Sequence, residues 1–221
     1  MQHSDRQQEV TTFFNNYAKD FHSIYLEQEK SVINRFKDRW LRASMFRRFA
    51  EVYSFIKEKR VETLLDVGCG PGFHDIIFAK GLGIKVMGVD VAPNMVEIAT
   101  KQAAIDHVDS LCEFYTGDFM QFRSSKSFGA SLSLGVIEYI SEPVPFIRKM
   151  LSFSKYYALF SLPVKWHWLT PQRYLRYKLR KCPLYFYTEN EIDELLNEID
   201  SVKYCIRCLG RDYLVILTKD E

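Results

Sequence analysis

From residue 61 onward, short apolar runs alternate with segments whose apolar positions recur every three or four residues. The runs at 63–67, 85–89, 112–115, 130–134 and 156–162 read as strands, and the segments at 73–79, 93–103 and 143–154 read as helices. Gly81 and Gly83 close the first of these helices. Pro93, and later Pro143 with Pro145, stand at helix starts, where a missing N–H costs little. The fifth run is almost wholly apolar, as expected of a strand covered on both faces. A charged amphipathic helix follows at 189–198. The segments 202–209 and 213–217 then form a hairpin around Gly210-Arg211. This ending breaks the strand–helix rhythm and predicts one antiparallel strand near the C-terminus of a seven-stranded, mostly parallel sheet, with helices on both faces.

Before residue 61 the chain reads as helix. Phe46, Phe49, Tyr53 and Ile56 recur at helical spacing and are expected to face the sheet, with Arg42, Arg47 and Arg48 away from that stripe. A second, less regular helical segment spans 11–29. The expected organisation is one α/β domain over 1–221: a helical cap at 1–60, a core at 61–162, an insert at 163–188 and a closing helix and hairpin at 189–221.

The strongest chemical signal lies at 64–72, Leu-Leu-Asp-Val-Gly-Cys-Gly-Pro-Gly. A strand ends in three alternating glycines and a helix begins. Residues without Cβ let the backbone bend sharply and approach a ligand closely, and the new helix offers free N–H groups to it. The dinucleotide fingerprint G-x-G-x-x-G is not met, because Phe73 stands where its third glycine belongs. That spacing disfavours a nicotinamide oxidoreductase. Asp90 ends the second strand, where an acid can accept from both hydroxyls of a ribose or, alternatively, cap the next helix. Thr-Gly-Asp-Phe-Met (116–120) follows the third strand, and Leu-Gly-Val-Ile-Glu-Tyr (134–139) the fourth.

In this order, the D-x-G-x-G-x-G turn from Asp66, then Asp90, Asp118 and the segment after the fourth strand, the chain resembles the class I S-adenosylmethionine-dependent methyltransferases over roughly 61–162. The resemblance implies a Rossmann-like fold and S-adenosylmethionine as cofactor, with S-adenosylhomocysteine as its product and no metal. Carried over position by position, Asp66, Gly68, Cys69, Gly70 and Gly72 form the turn around the methionine moiety. Asp90, with Val91 beside it, holds the ribose, and Met95 packs on the adenine. Gly117, Asp118 and Phe119 define the adenine pocket, while Leu134 and Gly135 lead beneath the methionine part toward the acceptor. Ala92 departs from the Ser or Thr frequent before the following helix, which weakens a cap by about 1 kcal/mol. Tyr17 resembles an aromatic that many relatives fold over the cofactor; a core tyrosine is the alternative. The segments 186–196 and 210–216 resemble small-molecule O-methyltransferases, including those acting on porphyrin carboxylates.

Methyl transfer from a sulfonium asks the protein to place a nucleophile in line behind the methyl group and, for a hydroxyl acceptor, to take its proton. His167, Glu138 and Tyr139 are the candidates for that work, with a structural role for His167 as the alternative. His74 is read as a cofactor neighbour or a first-turn surface group. Between Pro143 and Thr188 there is no Asp or Glu, but nine cations: Arg148, Lys149, Lys155, Lys165, Arg173, Arg176, Lys178, Arg180 and Lys181. This basic, aromatic stretch suits a small or lipid-like anionic acceptor, methylated at oxygen. The same composition suits an anionic membrane surface or RNA. A nucleic-acid methyltransferase and a non-catalytic binding module are therefore the rival functions.

A hydrophobic fraction of 47% with 26% charged residues supports a packed core. The net charge of +2 does not by itself imply a nucleic-acid partner. Residues 1–9 lack the apolar core of a signal peptide, and no apolar run approaches the ~20 residues of a membrane span, so a soluble, cytoplasmic protein is expected. Five cysteines fit that compartment. Cys205 and Cys208 have C-x-x-C spacing but fall on a strand with no second ligand pair nearby, so packing is the expected role.

Overall fold

Alternate residues of a strand point to opposite faces of a sheet, and this chain uses both. The computed structural model describes Thr12, residues 32–179, 182–200 and 202–220, with side chains from Met45 onward except Arg176. The expected segment at 11–29 lies outside the described residues apart from Thr12, and Tyr17, Arg180 and Lys181 lie outside them too. The strands are β1 (Thr63–Val67), β2 (Lys85–Asp90), β3 (Cys112–Thr116), β4 (Phe128–Ser133), β5 (Ser154–Pro163), β6 (Val202–Cys208) and β7 (Asp212–Lys219). The helices are α1 (Val32–Glu58), α2 (Phe73–Leu82), α3 (Pro93–Ile105), α4 (Pro143–Phe153), α5 (Thr170–Leu179) and α6 (Glu189–Asn197).

Leu64, Val86, Leu132, Leu159, Leu214 and Ile216 pack on one face with Phe49, Val52 and Ile56 of α1 and Phe78 of α2. Leu65, Met87, Phe160, Val215 and Leu217 pack on the other with Ile147 and Met150 of α4 and Ile192, Leu195 and Leu196 of α6. The sheet runs β3-β2-β1-β4-β5-β7-β6. Six strands are parallel to one another, and β7 runs antiparallel to both β5 and β6. The chain builds outward from β1 through β2 to β3, then returns to place β4 on the other side of β1. This reversal opens a crevice at the carboxyl ends of β1 and β4, the position where α/β sheets bind ligands. Thr188 starts α6 with a full capping box, exchanging hydrogen bonds with Glu191.

Four expectations need correction. Phe46 is 49% exposed, and the buried stripe of α1 is instead Phe49, Val52, Phe55 and Ile56. Arg48, expected away from the apolar stripe, is buried: it donates to Ser161 Oγ at 3.0 Å and pairs with Asp212 at 3.6 Å. Cys205 and Cys208 are unbridged and exposed on the edge strand β6, so neither packs in the core. β4 begins at Phe128 rather than 130, before Gly129, whose N–H is held by Thr63 Oγ1 at 2.8 Å.

Candidate functional site

β1 delivers the chain into the turn 68–72, and β2 ends beside it at Asp90. Gly68 and Gly70 take φ of 80° and 55°, the left-handed region that side chains with a Cβ avoid. A Cβ on Gly68 would fall 2.1 Å from Val136 Cγ2, whereas one on Gly70 would meet nothing within 4 Å. Gly68 therefore serves close packing, and Gly70 borders open space. The Gly70 N–H donates to Asp90 Oδ2 and the Ala92 N–H to Asp90 Oδ1, each at 2.8 Å. Burial pushes the Asp90 carboxyl above its usual range, opposed by these backbone donors. Each carboxylate oxygen keeps a second lone pair for a ligand hydroxyl. At the start of α3, Ala92 provides no side-chain cap. Asp90, two residues back, accepts its backbone N–H instead.

A single cavity of about 280 Å³ opens at this edge of the sheet. It is lined by Gly68, Gly70, Asp90, Val91 and Met95, by Gly117, Asp118 and Phe119 from the loop after β3, and by Leu134, Gly135 and Tyr139 from the segment after β4. Met120, Pro145, Phe146, Pro183 and Tyr185 add an apolar wall. Ser141 and Glu142 add polar groups, and the described lining contains no Lys, Arg or His.

Residues 64–155 match the methyltransferase domain family. That match, over 92 of the 221 residues, agrees with the resemblance read in the sequence. Ajmaline N-methyltransferase of Rauvolfia serpentina is 33% identical over 116 residues, 50% of this chain and 40% of that protein. The mitochondrial ubiquinone biosynthesis O-methyltransferase of Arabidopsis thaliana is 30% identical over 112 residues, 50% of this chain and 34% of that protein. The chain thus spans well under half the length of these curated relatives. In structure it matches magnesium protoporphyrin IX methyltransferase from Synechocystis PCC 6803 with bound SAH. The TM-score is 0.78 at 17% identity, covering 97% of this chain and 100% of the other. That likeness is one of fold.

The site has a donor set that fits S-adenosylmethionine. Open space beside Gly70 admits a close approach to backbone, Asp90 offers carboxylate lone pairs, and Met95 and Phe119 offer apolar surface for a flat ring. Asp118 Oδ1 accepts from the Met120 N–H at 2.8 Å, which fixes that loop. Among the described residues no group of three or more His, Cys, Asp or Glu is arranged to hold a metal ion.

Not every expected residue reaches the cavity. Asp66, Cys69 and Gly72 lie behind its wall and act on the shape of the turn. His167 is not brought there. It sits in a shallow aromatic pocket on the insert, where its Nδ1 accepts from the Leu169 N–H at 3.3 Å and its carbonyl from the Thr170 N–H at 2.8 Å. It closes the turn into α5. Glu138 is buried, with one carboxylate oxygen paired to Arg173 and the other, Oε2, without a hydrogen-bond partner. It does not line the cavity. Tyr139 lines the cavity, and its hydroxyl donates to Tyr177 at 3.2 Å. Burial, then the Glu138 charge, push that phenol well above its usual range, so it stays neutral. His74 does not line the cavity and is half-buried. It stacks on Phe49 with centroids 4.4 Å apart, and burial lowers its pKa to about 3.

Two buried constellations were invisible in the sequence. Arg48 and Arg173 share Asp212, and Arg173 also holds Glu138, so α1, α5, β7 and the segment after β4 meet in one charged cluster. Residues 48, 138, 173 and 212 have no common spacing, and only the strand order brings them together. Asp66 and Asp75 lie buried together behind the glycine turn. Burial, first, and their neighbouring charges push both carboxyls above the usual range. Their folded pKa values therefore exceed the unfolded value of about 4, so the folded state holds protons that the unfolded chain has released. Stability should fall as pH rises from about 4 through those raised values. Melting temperatures followed from pH 5 to 8 check this: Asp75→Asn should flatten the decline, and an unchanged slope would contradict the assignment.

Proposed function

We propose that this chain transfers the methyl group of S-adenosylmethionine to a small, largely apolar acceptor by in-line displacement. The observation that carries the reading is one cavity joining the Gly70–Asp90 corner to an apolar wall of Met120, Pro145, Phe146, Pro183 and Tyr185. In this proposal Asp90 holds the ribose hydroxyls, Met95 and Phe119 enclose the adenine, and Asp118 accepts from its amino group. Gly68, Gly70, Leu134 and Gly135 border the methionine part. Bound there, S-adenosylmethionine supplies a methyl group already activated by positive sulfur. The protein's own task is orientation and exclusion of water. The apolar wall positions the acceptor, and positioning alone can lower a barrier by several kcal/mol, within the roughly 7–11 kcal/mol available to well-oriented reactants.

The expected anionic acceptor rested on the cations of the insert. Four of the described cations between Pro143 and Thr188 turn elsewhere: Arg173 to Glu138 and Asp212, Lys165 to Glu191, Arg148 to the Glu198 carbonyl, and Lys149 to the carbonyls of Met120 and Phe122. An anion in the cavity would meet Asp90, Asp118 and Glu142 and no described cation. The reading we favour is a neutral hydroxyl acceptor, methylated at oxygen, with Glu142 taking its proton. Glu142 is exposed at the rim and has no hydrogen bond or ion pair to the described residues. The acidic lining also favours a second reading, an amine nitrogen, and the two relatives named above are an N- and an O-methyltransferase. The nucleic-acid alternative finds no cation on the described lining to hold a phosphate backbone. A cytoplasmic location is proposed from five unbridged cysteines; no described helix is long and apolar enough to cross a membrane.

Labelled methyl transfer to one apolar ring system bearing a hydroxyl, an amine or a carboxylate tests the reading. Turnover of the hydroxyl or amine compound, at least about tenfold above the carboxylate, is expected from a charge mismatch of at least 1.4 kcal/mol. Turnover of the carboxylate alone would overturn it, and cofactor binding without transfer to any acceptor would indicate a binding module.

A further inference from the structure

Helix α5 is built the wrong way round for a helix of the protein surface. Its inward positions carry Arg173, in the buried charge cluster, and Tyr177, which accepts from Tyr139. Its outward positions carry Tyr174, Leu175, Lys178 and Leu179. Leu175 is 57% exposed and Leu179 is 76% exposed. The turn before the helix adds Trp166 at 81% and Trp168 at 70%. Large apolar side chains this exposed, gathered on one turn and one helix face, mark a surface that something covers.

The charge of the segment says what. From Pro143 to Thr188 there is no acid, while Lys178 lies on the exposed face itself, its ammonium 5.8 Å from the Tyr174 ring. Tryptophan rings favour the headgroup level of a bilayer, leucines the acyl boundary just below, and lysine stems lie along apolar surface with the charge at the phosphates. A second copy of this chain, docked by the same face, would oppose like charges. An RNA strand could stack bases on the tryptophans but would leave the leucines uncovered. We propose that the exposed face of 166–179 docks this protein on an anionic lipid bilayer. Pro183 and Tyr185, just beyond the same helix, line the cavity, and the Tyr185 N–H donates to the Glu138 carbonyl at 2.8 Å. One segment thus carries both the docking face and part of the cavity wall.

Sedimentation with vesicles tests this. The full chain should bind vesicles of phosphatidylcholine with about a third phosphatidylglycerol at least about tenfold more tightly than pure phosphatidylcholine. Raising the salt should weaken that binding. Leu175→Ser with Leu179→Ser should reduce anionic-vesicle binding by about tenfold and leave S-adenosylhomocysteine affinity unchanged, which separates loss of docking from loss of fold and from failure of the proposed function. Equal binding to both vesicle types, binding unaffected by the leucine variant, or a dimer or RNA complex that the same variant abolishes while vesicles are ignored would each overturn the proposal.

Discussion

Asp90→Ala is expected to weaken S-adenosylhomocysteine binding by about 100-fold, close to 2.8 kcal/mol. The substitution removes two things at once. It deletes the carboxylate proposed to accept the ribose hydroxyls, and it releases the Gly70 and Ala92 N–H groups now held at 2.8 Å. Hydrogen bonds to a charged acceptor contribute about 1.5–3 kcal/mol each, so losing the ligand bonds and loosening the turn together reach this magnitude. Asp90→Asn keeps one acceptor oxygen and should lose less. Isothermal titration of the three proteins checks the order. An alanine variant within about threefold of the parent, less than 1 kcal/mol, would remove Asp90 from the site.

Asp212→Ala should cost about 3–5 kcal/mol of stability, because breaking a buried pair strands an uncompensated charge. Here the stranded charge is the Arg48 guanidinium. Asp212 faces Arg48 at 3.6 Å and Arg173 at 3.4 Å, with Arg48 only 6% exposed. Glu138 would remain as the charge partner of Arg173. For a chain of this size the melting temperature should fall by about 10 °C. Adding Arg48→Met should restore part of the loss by removing the stranded charge. The exposed Arg207–Glu51 pair, at 2.9 Å, is the contrast. Glu51→Ala should cost under about 1 kcal/mol. Equal losses from Asp212→Ala and Glu51→Ala would show that burial does not decide the effect.

The parts of the fold that were legible in the sequence are those encoded locally. The glycine turn, Asp90 and the loop of Asp118 each follow a strand by a few residues, so reading the strands also placed the loops at one edge of a sheet. The antiparallel β7 followed from a hairpin with no helix between its strands. What escaped depends on contacts distant in sequence. Arg48 read as lying away from the apolar stripe, and its partners Ser161 and Asp212 lie more than 100 residues away. His167 read as a candidate base because it follows β5, but the chain turns there into α5 and directs the ring onto the insert. The cations of the insert read as a lid for an anion, because composition does not say which of them face inward. Arg173 does, and is consumed by Glu138 and Asp212.

A crystal structure with S-adenosylhomocysteine puts the account at greatest risk. The ribose hydroxyls should lie within hydrogen-bond distance of the Asp90 carboxylate, with the backbone of Gly70 alongside and the sulfur directed toward Tyr139 and the apolar wall. Ligand density anywhere else in the molecule, or none at saturating concentration, would contradict it.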